Sequence, residues 1–164
     1  MIYSLEKHET LKQISSDWNF DTDGDSEKLE RDMCSFMIAN NGIGLAANQI
    51  ALLKRVFTMG SNQLAGFSAP AALFNPRIIE SSKTLVSDKE GCLSFPRLIL
   101  QIKRPDWVVL EYETSKGKTK RQRLTDYAAK CAQHELDHLN GVCFVDIVSP
   151  LKLKLAKSKL RKTK

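Results

Sequence analysis

The 164-residue sequence contains no run of about 18 apolar residues, which excludes a membrane-spanning helix. Its first residues, Met1-Ile2-Tyr3-Ser4-Leu5-Glu6-Lys7-His8-Glu9, show no basic stretch leading into an apolar core, so no secretory signal is expected. Only four cysteines occur (Cys34, Cys92, Cys131 and Cys143), and without a signal they read as reduced thiols, not as a disulfide framework. The expected location is the cytoplasm (the host's, for a viral chain). Repeats, low-complexity segments and interdomain linkers are also missing. That leaves one domain, expected as a monomer, long enough to bury about two-thirds of its unfolded surface.

An excess of charge is missing from the body of the chain. The formal net charge is +6, yet residues 151–164 alone supply seven cations (Lys152, Lys154, Lys157, Lys159, Arg161, Lys162 and Lys164) and no acid. The rest balances 18 basic against 19 acidic residues. Basicity is therefore a property of a tail and not of the fold, which argues against sequence-specific nucleic-acid binding. Such a tail either stays solvated or tracks phosphate. The expected organisation is a domain over residues 1–150 followed by a short basic tail over 151–164.

What is present alternates between helical and strand-like segments. Asp21-Thr22-Asp23-Gly24-Asp25 resembles a calcium loop, but Gly24 precedes the third acid and no glutamate occupies the twelfth position. It reads instead as a polar loop in which Asp25 or Ser26 caps a helix over Glu27 to Asn40, with Leu29, Met33, Phe36 and Met37 as its apolar stripe. Short strands follow at Val56–Met59, Ala72–Asn75, Leu98–Ile102 and Trp107–Tyr112. Pro70, Pro76, Pro96 and Pro105 are expected at strand edges, where a missing N–H does least harm. Thr114 to Lys120 reads as a turn. Thr125 or Asp126 then caps a helix that Asn140-Gly141 closes; it is apolar around much of its circumference and is expected to be central. Ser149 and Pro150 suit the start of a short final helix. These segments predict an α+β fold, with short antiparallel sheets packed around the central helix.

That helix carries Gln133-His134-Glu135-Leu136-Asp137-His138. One turn separates two imidazoles pointing the same way, a spacing that can hold one divalent metal, with Glu135 beside them to work on a water. Taken alone, such a string also arises by chance, and a catalytic site needs a third protein ligand. Metalloproteases with this motif take that ligand downstream. Here no His or Glu follows His138, and the one acid, Asp146, lies beyond Gly141 in an apolar, strand-like run. Cys131 is seven residues from His138, roughly 10 Å of helical rise, so it reads as core, as does Cys143. Cys92 remains. Gly91 precedes it, and its missing side chain lets substrate or metal approach the backbone.

Gly42-Ile43-Gly44-Leu45-Ala46-Ala47-Asn48-Gln49, Glu90-Gly91-Cys92-Leu93-Ser94 and the helical motif occur in that order. Together they resemble the three signature motifs of peptide deformylases, over roughly residues 25 to 148. The resemblance implies a metal-dependent hydrolase that removes the N-formyl group from N-formylmethionyl nascent peptides and releases formate. By motif position, Cys92, His134 and His138 would hold the metal, and Glu135 would act as general base and acid. Gln49 and the backbone N–H of Leu93 would stabilise the oxyanion. The implied ion is Fe(2+), replaceable by Zn(2+), Ni(2+) or Co(2+), and mixed N/S ligation suits iron and zinc alike. An open strand edge at Ile43-Gly44-Leu45, with the approach left at Gly91, would pair with the substrate backbone.

Two features depart from the family pattern. Lys130 lies one turn before His134, where relatives commonly carry an aliphatic residue lining the methionine pocket; its stem can pack while its ammonium reaches water. The chain also stops soon after Pro150, so the C-terminal helix of many bacterial members is expected to be short or absent. Residues 151–164 would then be a basic tail able to contact the ribosome. Competing readings are an endopeptidase, against which the missing downstream ligand argues, and a structural zinc module, which would need a fourth ligand.

Overall fold

The structure, a computed structural model, describes residues 9–62, 64–67 and 69–162, apart from the side chain of Lys162. Asp25 caps helix α1 (Ser26–Ala39): its carboxylate accepts the Lys28 N–H at 2.8 Å, satisfying a donor that a helix start leaves open. Of the expected stripe, Met33 and Met37 are fully buried, and Leu29 and Phe36 pack partly against the same cluster. Strands β1 (Gly44–Ala46), β2 (Val56–Met59) and β3 (Ala71–Ser81) follow, then β4 (Leu85–Cys92) and β5 (Phe95–Pro105), then β6 (Trp107–Glu113) and β7 (Thr119–Thr125). All pairings are antiparallel: one sheet in the order β1-β2-β3-β6-β7, and a separate β4-β5 hairpin.

Two expectations about the strands change. Pro76 lies inside β3, not at its edge, because a bulge between Phe74 and Arg77 interrupts the ladder with β6 where the missing N–H falls. Pro96 is likewise the second residue of β5. Strand β4 leaves no apolar run in the sequence, since Ser87, Asp88, Lys89 and Glu90 are polar; pairing with β5 makes it a strand.

Helix α2 (Asp126–Leu139) packs against β1, β2, β5, β6 and β7. Its Ala128, Ala129, Ala132, Leu136 and Leu139 share one core cluster with Phe57, Leu73, Val108, Leu110 and Leu124 of the sheet. The small alanines let helix and sheet approach closely. Another part of the sheet, through Val56, Ala72 and Phe74, shares a cluster with Met33 and Met37 of α1. A third cluster joins Leu98, Leu100 and Ile102 of β5 to Phe144 of α3 (Phe144–Ile147) and Leu153 and Ala156 of α4 (Pro150–Lys162). The strand-like reading around residue 146 gives way to the one-turn α3, because the Asp146 carboxylate accepts the Cys143 N–H at 2.8 Å, a local bond that competes with extended pairing. The final helix is 13 residues, longer than expected, and it lies against β5. Among the described residues no helix is long and apolar enough to cross a membrane.

Candidate metal centre and active site

Alternation along β4 places Glu90 and Cys92 two residues apart, and both meet α2. The Cys92 Sγ lies 3.2 Å from His138 Nε2, and one donor atom each from Cys92, His134 and His138 lie within 4.8 Å of one another. One ion with bonds of about 2.0–2.3 Å spans such a triangle. Asn48 anchors the far end of the same helix, its side-chain amide donating to the His138 carbonyl at 2.5 Å.

Behind the imidazoles lies a buried ionic network. His134 Nδ1 is 3.1 Å from Glu90 Oε2. Arg104, 6% exposed, forks onto Glu90 through Nε at 2.5 Å and Nη2 at 2.9 Å, and donates to Asp137 through Nη1 at 2.8 Å. The planar guanidinium suits this bidentate task in a way lysine would not. A carboxylate on the outer nitrogen of an imidazole fixes the ring and raises its basicity as a ligand.

Burial and neighbouring charge shift the two imidazoles in opposite directions. Burial opposes charge on His134, but its bonds to Cys92 and Glu90 and the charge of Glu135 outweigh it and lift its pKa to about 10. His138 is held well below the usual imidazole value, first by burial and then by His134. Burial pushes the Glu135 carboxyl up to about 7, against the pull of His134, and its Oε2 has no hydrogen-bond partner. An unpartnered buried polar atom costs about 1–3 kcal/mol and suits a site completed by a bound group. Thiol, two imidazoles and an acid with one oxygen unpartnered fit a divalent metal with one position left open.

Gln49 is oriented by its neighbours. The Ala46 N–H donates to its Oε1 at 2.8 Å, so its Nε2 turns to donate to Ser94 Oγ at 2.8 Å and lies 3.6 Å from Cys92 Sγ. Strand β1 runs at the sheet edge, bonded to β2 on one side only, and passes close to α2. A Cβ on Gly44 would strike the Glu135 carboxyl and sit 2.8 Å from the Cys131 Sγ. Cys131 stays outside the ligand group; its Sγ meets the Ile43 carbonyl at 3.6 Å, and burial pushes its thiol pKa well up.

A cavity of about 650 Å³ opens onto this group, and Ile43, Gly44, Gln49, Gly91, Leu93 and Glu135 all line it. Leu45 differs: its side chain is buried in the cluster beneath α1. Lys130 also lines the cavity, but its ammonium pairs with Asp88 of β4 and its side chain is largely covered, so it does not simply extend to water. Sequence reasoning assigned no role to Glu90, Asp137, Ser94, Asn48 or Arg104. For Arg104 a signal existed, since Leu98, Leu100, Ile102 and Arg104 alternate onto one face of β5 and a buried guanidinium there demands acids nearby.

A family profile described as Polypeptide deformylase matches residues 2–154. A peptide deformylase of Prochlorococcus marinus (strain NATL1A) is 43% identical over 122 residues, 74% of this chain and 60% of that protein. This chain thus matches about three-fifths of that relative's length. Among solved structures, a peptide deformylase from Legionella pneumophila superposes with a TM-score of 0.86 at 32% identity, over 99% of this chain and 94% of that one. A peptide deformylase from Synechococcus elongatus in complex with actinonin gives 0.85 at 33%, over 97% and 84%. By these matches the chain belongs to the polypeptide deformylase family.

Proposed function

We propose that this protein removes the formyl group from N-formylmethionyl peptides, releasing formate. The observation that carries the reading is the convergence of Cys92, His134 and His138 beside a buried Glu135 whose Oε2 has no hydrogen-bond partner, at a cavity bordered by an open strand edge. In this reading α2 is the central catalytic helix, residues 1–150 form the catalytic domain, and Cys92, His134 and His138 hold Fe(2+), with zinc, nickel or cobalt as substitutes. When bound, the ion supplies a Lewis acid that polarises the formyl carbonyl and acidifies water.

The chain's own groups do the rest. Glu135 takes the proton of the attacking water, holds it on its otherwise unbonded Oε2, and returns it to the leaving amine. As the formyl carbon becomes tetrahedral, Gln49 Nε2 and the Leu93 N–H donate to its oxygen. A pre-aimed donor of this kind is worth roughly 2.7–4 kcal/mol. Ile43 and Gly44 offer the free edge of β1 to the peptide backbone, and Leu45 contributes backbone alone, since its side chain is buried; Gly91 leaves room on the facing wall.

The endopeptidase reading loses its downstream candidate, because Asp146 caps Cys143 and pairs with Lys12. The structural-zinc reading lacks a fourth ligand among the described residues. We place the reaction in the cytoplasm, on a monomer, with residues 151–164 as the segment that contacts ribosomes. The test is formate release from formyl-Met-Ala-Ser after anaerobic purification or nickel loading. The wild type is expected to turn over and Glu135→Gln to be silent with its metal retained. Metal-loaded, folded wild type without turnover excludes the proposal.

A further inference from the structure

The catalytic cavity continues into a second hollow. A groove of about 580 Å³ lies between β5 and α4, and Lys89, Arg97 and Ile99 line both spaces. Four cations border it (Lys89, Arg97, Lys152 and Lys159), and no acid does. Its walls are otherwise mostly apolar: Ile99 and Leu155 are 53% and 56% exposed, with Val148, Ala156 and Leu160 beside them. Arg97 adopts a left-handed φ of 64°, which glycine or asparagine would bear with less strain, so the turn itself does not call for arginine.

Resting on the deformylase reading, the formylated end of the substrate sits at Glu135. The cavity of about 650 Å³ suits a ligand of drug-like size, about a formylated tripeptide. The following residues must leave it, and the wall shared with the groove offers one way out. We propose that this groove binds the downstream part of the nascent chain, about residues four to eight, and prefers segments in which acidic and apolar residues alternate. Charge complementarity supplies the acidic preference, and Ile99 and Leu155 supply the apolar one. RNA would use the cations but leave the exposed apolar side chains unmatched.

The experiment compares kcat/KM for formate release from formyl-Met-Ala-Ser with that from formylated octapeptides beginning with the same three residues. One octapeptide continues with Glu and Leu, the other with Lys and Leu. The acidic one is expected to outrun the lysine one by about tenfold at low salt, the sum of a few exposed ion pairs. The gap should close at about 1 M salt. Lys152→Glu combined with Leu155→Ser should erase it while leaving tripeptide turnover unchanged. If that variant melts early, Lys152→Glu alone carries the test. Tripeptide turnover with equal rates for the two octapeptides overturns this proposal and leaves the deformylase reading standing; no turnover of any peptide overturns both. Equal octapeptides together with oligouridylate binding that Lys152→Glu abolishes would make the groove a nucleic-acid surface, and the proposal false.

Discussion

Two cysteines border the cavity and only one belongs to the group that could hold a metal ion. Cys92 lies beside His138, whereas Cys131 faces the Ile43 carbonyl in a fully buried setting. Cys92→Ser should therefore lower the metal-to-protein ratio of the purified protein steeply. Cys131→Ser should keep its metal and lose about 1 kcal/mol of stability, because the smaller hydroxyl packs less well and sits farther from the Ile43 carbonyl that the Sγ meets. Equal metal loss in both variants would contradict the ligand assignment. Glu135 gives a pH signature. Its carboxyl is raised from 4.5 to about 7, so the folded state holds the proton more tightly than the unfolded chain. The stability tied to that proton is complete below pH 4.5 and is lost as pH rises toward about 7. Metal-free Glu135→Gln, which carries no charge, should thus melt several degrees above metal-free wild type at pH 8 and near it at pH 4. Melting curves that run parallel at every pH would refute this.

Strand β5 shows what periodicity reveals and what it conceals. Leu98, Leu100 and Ile102 announce a strand with one buried face, and the same step of two carries Arg104 into the interior. Its acceptors lie on other elements, Glu90 on the paired strand β4 and Asp137 on α2, and the periodicity of β5 by itself names neither. The helices were legible because capping and apolar spacing are local properties: Asp25, and the closing Asn140-Gly141, stand where the chain places them. Strand β4 was not, since its stability is lent by β5. The candidate metal triangle lies between these cases. His134 and His138 share a helix and can be read from spacing, while Cys92 emerges from the lack of any other candidate. Arg104→Met should strand the buried Glu90 carboxylate and the half-buried Asp137 and cost about 3–5 kcal/mol, which corresponds to a melting temperature lower by roughly 10 °C. Adding Glu90→Gln and Asp137→Asn should recover part of that loss, because the penalty is mostly unpaired charge. A single substitution that leaves the melting temperature unchanged would show the network to be dispensable.

At the scale of the whole molecule, a nearly neutral body carries its positive charge on a C-terminal helix. Helix α4 is not a free tail: Leu153 and Ala156 pack against the β5 cluster, and Lys152, Leu155 and Lys159 wall the groove beside the cavity. Composition locates this charge correctly but does not show that the segment folds onto the hairpin, since its apolar residues find their partners some fifty residues earlier. Removing residues 151–164 should lower ribosome co-sedimentation most at low salt, where displaced counterions matter most. It should also lower the melting temperature by a few degrees, through exposure of Leu98 and Phe144. Unchanged co-sedimentation would exclude the segment as the ribosome contact.

The arrangement on which the proposed chemistry rests is one sulfur from β4 and two ring nitrogens from α2 around a single ion, with one position left open beside Glu135. X-ray absorption on the zinc-loaded protein reads it directly. One sulfur at about 2.3 Å, two nitrogens at about 2.0–2.1 Å and one exchangeable light atom are expected. A shell without sulfur, or one closed by a fourth side chain, would contradict it.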